Sequence, residues 1–276
     1  EIGREVMQGG SRRSALYASL NWQHQDIGEF LHCKDWYSMP ISGAYDEKSD
    51  NLTVGLLKEK DFNYPAPLDM TNISLNYDNE FLEQIYMISF DELKEIYRLG
   101  GKSAVFELPI KNIPLTFLEN CRQALKTGEP GFSLNFFEKV LETLRNACTE
   151  VCSEDDSDVC NLASVNMANI ETIEEFRNVC YQASKFLLCG TLEAELPYQK
   201  VYNTRAKNRR LGLGLMGVHE WLLKRGYRYE VNQELREWLQ VYKDYSEIGA
   251  NELAEKLGIN KPVAYRAIAP TGTIGI

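Results

Sequence analysis

Strand-length apolar runs alternate with longer amphipathic segments along this chain, and that alternation restricts the fold more than any other feature. Residues 14–21, 71–75 and 263–268 read as strands. Apolar residues return every three or four positions through 79–87, 114–126, 134–144, 173–188, 211–225 and 233–257, which predicts helices there, with a shorter one at 26–33. In the fourth of these, Phe176, Val179, Cys180, Ala183 and Leu187 fall on one face. Residues 36–67 are rich in turn formers and read as loop with short strand pieces. Strands separated by helices predict an α/β fold with a parallel sheet.

Composition sets outer limits. The chain has 276 residues, 44% apolar and 25% charged, which is ordinary for a globular domain with a core. A net charge of -10 provides no basic footprint for nucleic acid, so anionic ligands would need local donors. No apolar run approaches the roughly 20 residues of a membrane span. The seven cysteines are odd in number and contain no CxxC, which argues against a secreted disulfide framework and for a reducing, cytoplasmic setting. The start lacks an initiator Met and the end stops in Ala269-Pro270-Thr271-Gly272-Thr273, so both ends read as cut from something longer.

The chemistry concentrates in Asn146-Ala147-Cys148-Thr149-Glu150 and, soon after, Cys160-Asn161-Leu162-Ala163-Ser164. In an extended segment Asn146, Cys148 and Glu150 would point to one side, because side chains alternate with a period of two. An amide, a redox-capable thiol and a carboxylate base would then face one cavity, which Cys160 could enter from a neighbouring segment. Spacing alone favours the plainer reading of Cys148 as a buried structural thiol. Zinc at Cys148, Cys152 and Cys160 is disfavoured by their spacing and by the lack of a nearby His. Gly212-Leu213-Gly214-Leu215-Met216-Gly217 matches a dinucleotide fingerprint, but with no strand running into it the glycines read as helix packing. The acidic run Glu154, Asp155, Asp156 and Asp158 reads as a solvated loop.

Taken together, these strings resemble the catalytic chain of ribonucleotide reductases, which place an Asn-x-Cys-x-Glu triad on a loop and follow it with Cys-Asn-Leu-x-Ser-x-Asn. Further similarities occur in order: Gly9 to Ala15, Thr71 to Ser74, Thr127 to Gly131, Arg209 to Gly217 and Ala269 to Thr273. The resemblance implies a ten-stranded α/β barrel with the cysteine on a central finger loop, of which 1–276 would be a single partial domain truncated at both ends. It implies that Cys148 becomes a thiyl radical abstracting the ribose 3′ hydrogen. Glu150 would take the 3′-hydroxyl proton, Asn146 would orient the hydroxyls, and Cys160 would be one of two thiols that end as a disulfide. Pro270, Thr271, Gly272 and Thr273 would bind substrate phosphates before a helix start, and Arg12 and Arg13 would approach an effector nucleotide, a deoxynucleotide or ATP. The second redox thiol would lie outside this chain, leaving the piece inactive alone.

The sequence is most similar to the adenosylcobalamin-dependent class, which implies that cofactor, an external dithiol or thioredoxin- or glutaredoxin-like reductant, and a homodimer. A two-subunit metal-dependent reductase, a glycyl-radical lyase and a non-catalytic nucleotide-binding remnant are the alternative readings.

Overall fold

The computed structural model describes residues 7–8, 12–41, 52–272 and 274–275. The chain divides into two compact units, Glu1–Ala147 and Cys148–Ile276.

In the first unit, short strands β1 (Met7–Gln8) and β2 (Arg12–Arg13) pair antiparallel. Strands β3 (Leu16–Asn21), β4 (Thr71–Tyr77) and β5 (Gly131–Leu134) form a parallel sheet in that order. Leu16 stands opposite Thr71, and Ser74 opposite Gly131. Between β3 and β4 lie α1 (Ile27–His32) and α2 (Val54–Lys60). Three helices follow β4: α3 (Asn79–Tyr86), α4 (Phe90–Phe106, bent at Gly101) and α5 (Leu115–Thr127). Local chemistry sets their starts. Asp78 caps α3, and Ser89 with Glu92 forms a reciprocal capping box on α4. Phe81, Leu82, Ile85 and Tyr86 then repeat at helical spacing and bury against Leu75 and Tyr77 of β4. Asn120 of α5 is buried but satisfied, accepting from the Tyr77 hydroxyl (2.8 Å) and donating to the Pro130 carbonyl (2.7 Å). The strand β6 (Leu144–Arg145) comes near the end of this unit.

The second unit contains β7 (Cys152–Ser153), β8 (Asn161–Asn166), α6 (Ile173–Glu193), α7 (Gln199–Asn208), β9 (Leu211–Met216), α8 (Val218–Lys224) and α9 (Gln233–Leu257). Strands β8 and β9 pair in parallel, with Leu162 opposite Gly212. The segment after α9 extends this pair through a single bridge, Leu213 to Arg266, with Leu213 N–H donating to the Tyr265 carbonyl at 3.1 Å. Helix α6 packs on both strands and α9 packs on α6. In the core Trp238 stacks on Phe176 and meets Trp221 edge-on, each with ring centroids 4.9 Å apart. Each such burial is worth about 1.5–3 kcal/mol.

The α/β class with parallel pairing is as expected, although the described sheets are open. Four assignments change: residues 54–60, read as part of a loop, form α2, and residues 263–268, read as a strand, make only the single bridge at Arg266. Residues 211–216 are strand, because Leu211, Leu213 and Leu215 alternate with Gly212 and Gly214 and both faces are buried. Residues 134–144 form no α-helix, only a 3₁₀ turn at Phe137–Lys139, since Phe136 and Phe137 are drawn into the core as a pair. Among the described residues no helix is long and apolar enough to cross a membrane.

Candidate active site

The segment singled out in the sequence straddles the two units, with Asn146 in the first and Cys148 and Glu150 in the second. In the first unit, the Asn72 side chain of β4 donates to the Ala147 carbonyl, and Arg145 Nη2 donates to Asn135 Oδ1 at 2.5 Å. The backbone leading to Ala147 is thus tied to β4 and to the residue that follows β5. Asn146 is half-buried.

Cys148 is exposed on a turn spanning 147–149, and Thr149 has φ +65°. The extended reading of Asn146, Cys148 and Glu150 therefore does not hold, because alternation by twos requires unbroken extended backbone. A β-branched residue at positive φ is a genuine outlier, costing on the order of 1–2 kcal/mol. Such strain persists only where the surroundings enforce it, and it clusters at functional sites.

Within the second unit, Glu150 and Cys160 come into electrostatic range. The Oε2 atom of Glu150 is buried with no hydrogen-bond partner among the described residues. Burial pushes the Cys160 thiol up to about 12; Arg210 opposes that rise, while Asp158 and Glu150 add to it. The thiol is neutral at physiological pH, with its sulfur 3.8 Å from the Asn161 carbonyl.

The loop before Cys160 is solvated at Glu154 and Asp156 but anchored at Asp155 and Asp158. Asp158 Oδ2 accepts from Ser153 Oγ (2.8 Å), Asn208 Nδ2 (3.0 Å) and Arg210 Nε (2.8 Å). Asp155 accepts from Lys207 at 2.9 Å and from Asn208 at 2.9 Å, and these bonds hold its carboxyl below the usual range. Lys200 pairs with Asp156 at 2.7 Å. Helix α7 therefore supplies the cations and amide that strap the loop down.

Gly212 lies under Cys160. A Cβ there would stand 2.9 Å from the Cys160 sulfur, closer still to Leu162 Cδ2, and 3.3 Å from Ala267 Cβ. The glycine is explained by close strand packing, not by a phosphate-binding turn or a helix interface. Asn72, Asp158, Arg210 and Gly212 were not singled out as site residues in the sequence. The available signal was the leucine–glycine alternation from Leu211 to Leu215, which marks a two-sided buried strand and brings Arg210 to its entrance.

Pro270, Thr271 and Gly272 sit in a turn closed by the Gly275 N–H on the Thr271 carbonyl at 2.8 Å; no helix follows among the described residues, and Thr273 lies outside them. Arg12 and Arg13 form β2, and Gly9, Gly10 and Ser11 lie outside the described residues. None of the seven cysteines is in a disulfide, and among the described residues no group of three or more His, Cys, Asp or Glu is placed to hold a metal ion.

The family model for the ribonucleotide reductase barrel domain matches residues 2–245. A protein of Mycobacterium phage D29, named as an adenosylcobalamin-dependent ribonucleoside-triphosphate reductase, is 29% identical over 99% of this chain. The vitamin B12-dependent ribonucleoside-diphosphate reductase of Thermoplasma acidophilum is 24% identical over 98% of it. The ribonucleoside-diphosphate reductase subunit alpha of a Synechocystis strain is 24% identical over 92%. The chain spans 35% of the length of each of these relatives. The match across both units, in a chain whose cysteine, carboxylate and glycine-rich strand stand as described, makes it a member of the ribonucleotide reductase barrel-domain family.

Proposed function

We propose that the protein containing this chain reduces ribonucleotides to 2′-deoxyribonucleotides by thiyl-radical chemistry. The observation that carries this reading is the buried, unpartnered Glu150 oxygen acting on the Cys160 thiol in one unit. A base with a free lone pair within electrostatic range of a neutral thiol suits proton transfer coupled to oxidation of the thiol pair.

Cys148, as the thiyl, abstracts the 3′ hydrogen; the S–H bond formed is comparable in strength to the C–H bond broken. Glu150 accepts the 3′-hydroxyl proton and later returns it, the 2′-hydroxyl leaves as water with a proton from the thiol pair, the pair's other hydrogen goes to C2′, and Cys148 gives its hydrogen back to C3′ to regain the thiyl. Cys160 and a second thiol give up two electrons and become a disulfide, which an external dithiol such as a thioredoxin- or glutaredoxin-like protein reopens. Asn146 orients the substrate hydroxyls and Glu150. The turn at Pro270, Thr271, Gly272 and Thr273 takes the substrate phosphates, and Arg12 and Arg13 take a deoxynucleotide or ATP effector.

Both units belong to one ten-stranded barrel domain with the Cys148 turn as its finger loop, working as a homodimer in the reducing cytoplasm. The exposed Cys148 thiol fits a radical source that reaches it from outside this chain. Adenosylcobalamin, named as such for one relative and as vitamin B12 for another, would supply such a radical when bound.

The test is deoxyribonucleotide formation by the full-length protein from each ribonucleoside di- and triphosphate with a dithiol. Activity that requires adenosylcobalamin is expected. Activity only with a separate metal-bearing subunit would replace the class, and silence under both conditions would replace the function.

A further inference from the structure

Asp158 and Cys160 on one segment face Arg210 and Gly212 on the other. Strands β8 and β9 pair with Asn161 opposite Leu211 and Leu162 opposite Gly212, so one step back along the same parallel register Cys160 comes beside Arg210. Neighbouring strands stand about 4.8 Å apart. The Arg210 side chain is fixed: its Nε is bonded to Asp158 at 2.8 Å, and the two side chains are only 12% and 6% exposed. Asp158 is itself fixed by Ser153 and Asn208, and Arg210 Nη2 also reaches Ser153 Oγ at 3.5 Å, so the guanidinium is held from two sides. Gly212 leaves the space that the Cys160 sulfur occupies.

We infer that Arg210 is a positioning residue for Cys160, its guanidinium held by Asp158 where it steadies the sulfur as a thiolate during exchange with an external dithiol. This rests on the reductase reading for its purpose, though not for its geometry. The step balances as follows. A thiolate of the external dithiol attacks the second sulfur of the disulfide, forms a mixed disulfide and expels Cys160 as thiolate. Cys160 then takes a proton from solvent, and the second external thiol attacks the mixed disulfide, expelling the second cysteine as a thiol and closing the external disulfide, so the external dithiol has given its two electrons to the protein's pair. A thiol buried as Cys160 is would be a poor leaving group without a local cation, because burial disfavours the charged form. The charged groups acting on Cys160 are Arg210, Asp158 and Glu150, and of these only Arg210 favours the thiolate.

The experiment is alkylation of Cys160 by iodoacetamide between pH 7 and 11, followed on its own peptide by mass spectrometry in the protein with its dithiol-reduced cysteines. Arg210→Gln is expected to slow Cys160 alkylation about three- to tenfold at a given pH, moving the profile to higher pH, since one pKa unit is tenfold in thiolate. Arg210→Lys should recover most of the rate. Asp158→Asn should move the profile the opposite way, to lower pH. Cys148 serves as the internal control and should not change. An unmoved Cys160 profile overturns the inference. So does faster alkylation at every pH in Arg210→Gln, which would make the arginine a mere clamp, or a shift of the same sign in both variants. If Arg210→Gln does not fold, the Lys and Asn variants decide alone: the inference fails unless Lys keeps the wild-type profile and Asn lowers it. The readout needs no turnover, so an inactive protein with these shifts sinks the reductase reading and not the seat of Cys160.

Discussion

Cys160 and Gly212 are in such close contact that a methyl group on the glycine would stand 2.9 Å from the thiol sulfur. Gly212→Ala must therefore push the sulfur, Leu162 and Ala267 apart, and overpacking of this kind costs about 1–3 kcal/mol. Gly190, in α6, has nothing within 4 Å of a built Cβ. Gly190→Ala should instead stabilise by about 0.5–1 kcal/mol, through helix propensity alone. Urea denaturation of the two variants beside the parent checks both signs.

The Thr149 backbone provides a second test. Its φ of +65° lies between the proposed radical cysteine and the proposed base. Thr149→Gly removes a left-handed penalty of about 1–2 kcal/mol and adds unfolded-chain entropy of about 0.5–1 kcal/mol. A net gain of up to about 1.5 kcal/mol in unfolding free energy is expected, read from a higher denaturation midpoint. If the strain fixes the aim of Cys148 and Glu150, kcat should fall even as stability rises.

Stability should decline in alkali for a reason visible in the core. Cys180 is fully buried, and burial lifts its thiol to about 12 from an ordinary 9.0. A raised folded pKa contributes stability that is complete below the unfolded value and lost as pH climbs through the folded one. The window is therefore pH 9 to about 12, with a slope near 1.4 kcal/mol per pH unit for one such thiol. Cys160 contributes with the same sign, as do the buried phenols Tyr77 and Tyr242 above their ordinary 10.0. Cys180→Ala should flatten part of the slope between pH 9 and 10.5 without abolishing it. An unchanged slope would mean that this thiol ionises freely in the folded state.

The buried Glu150 oxygen predicts a chemical defect rather than a binding one. Glu150→Gln keeps the shape and removes the base, and loss of such a group costs about 10²–10⁴ in rate. The fall should appear in kcat with little change in KM. A raised KM with kcat intact would make Glu150 a substrate-holding group.

Much of this was legible in the sequence where one physical rule dominated. Helix α9 (Gln233–Leu257) was read with its observed bounds, because its N-cap Asn232, its amphipathic face and Gly258 at its end agree. Strand β4 was read from Thr71, since its apolar core signals strand without competition. The reading failed where two periods overlap. Leu211, Leu213 and Leu215 satisfy a strand, yet continue without a break into the helical Trp221 and Leu222, and the longer period was taken for the whole. The exposed Glu154 and Asp156 fit a solvated loop, but its anchorage is not legible in the sequence because ion pairing is tertiary: Lys200, Lys207 and Arg210 meet Asp156, Asp155 and Asp158 across about fifty residues of sequence. At the candidate site, the residue types Asn146, Cys148, Glu150 and Cys160 stood out as chemistry-bearing. The turn at Thr149 did not, because nothing in a threonine announces positive φ.

The most direct measurement compares Cys148→Ser with Cys152→Ser in the full-length protein, assayed for deoxyribonucleotide formation with dithiol and adenosylcobalamin. Neither position is in a disulfide and the two lie close in sequence, so a general sensitivity of the loop would affect both. The account predicts that Cys148→Ser falls by at least about 10³, the scale of losing an essential nucleophile-type residue, while Cys152→Ser stays within about threefold of the parent. Turnover retained in Cys148→Ser, or an equal loss in both variants, would contradict the claim that Cys148 carries the radical.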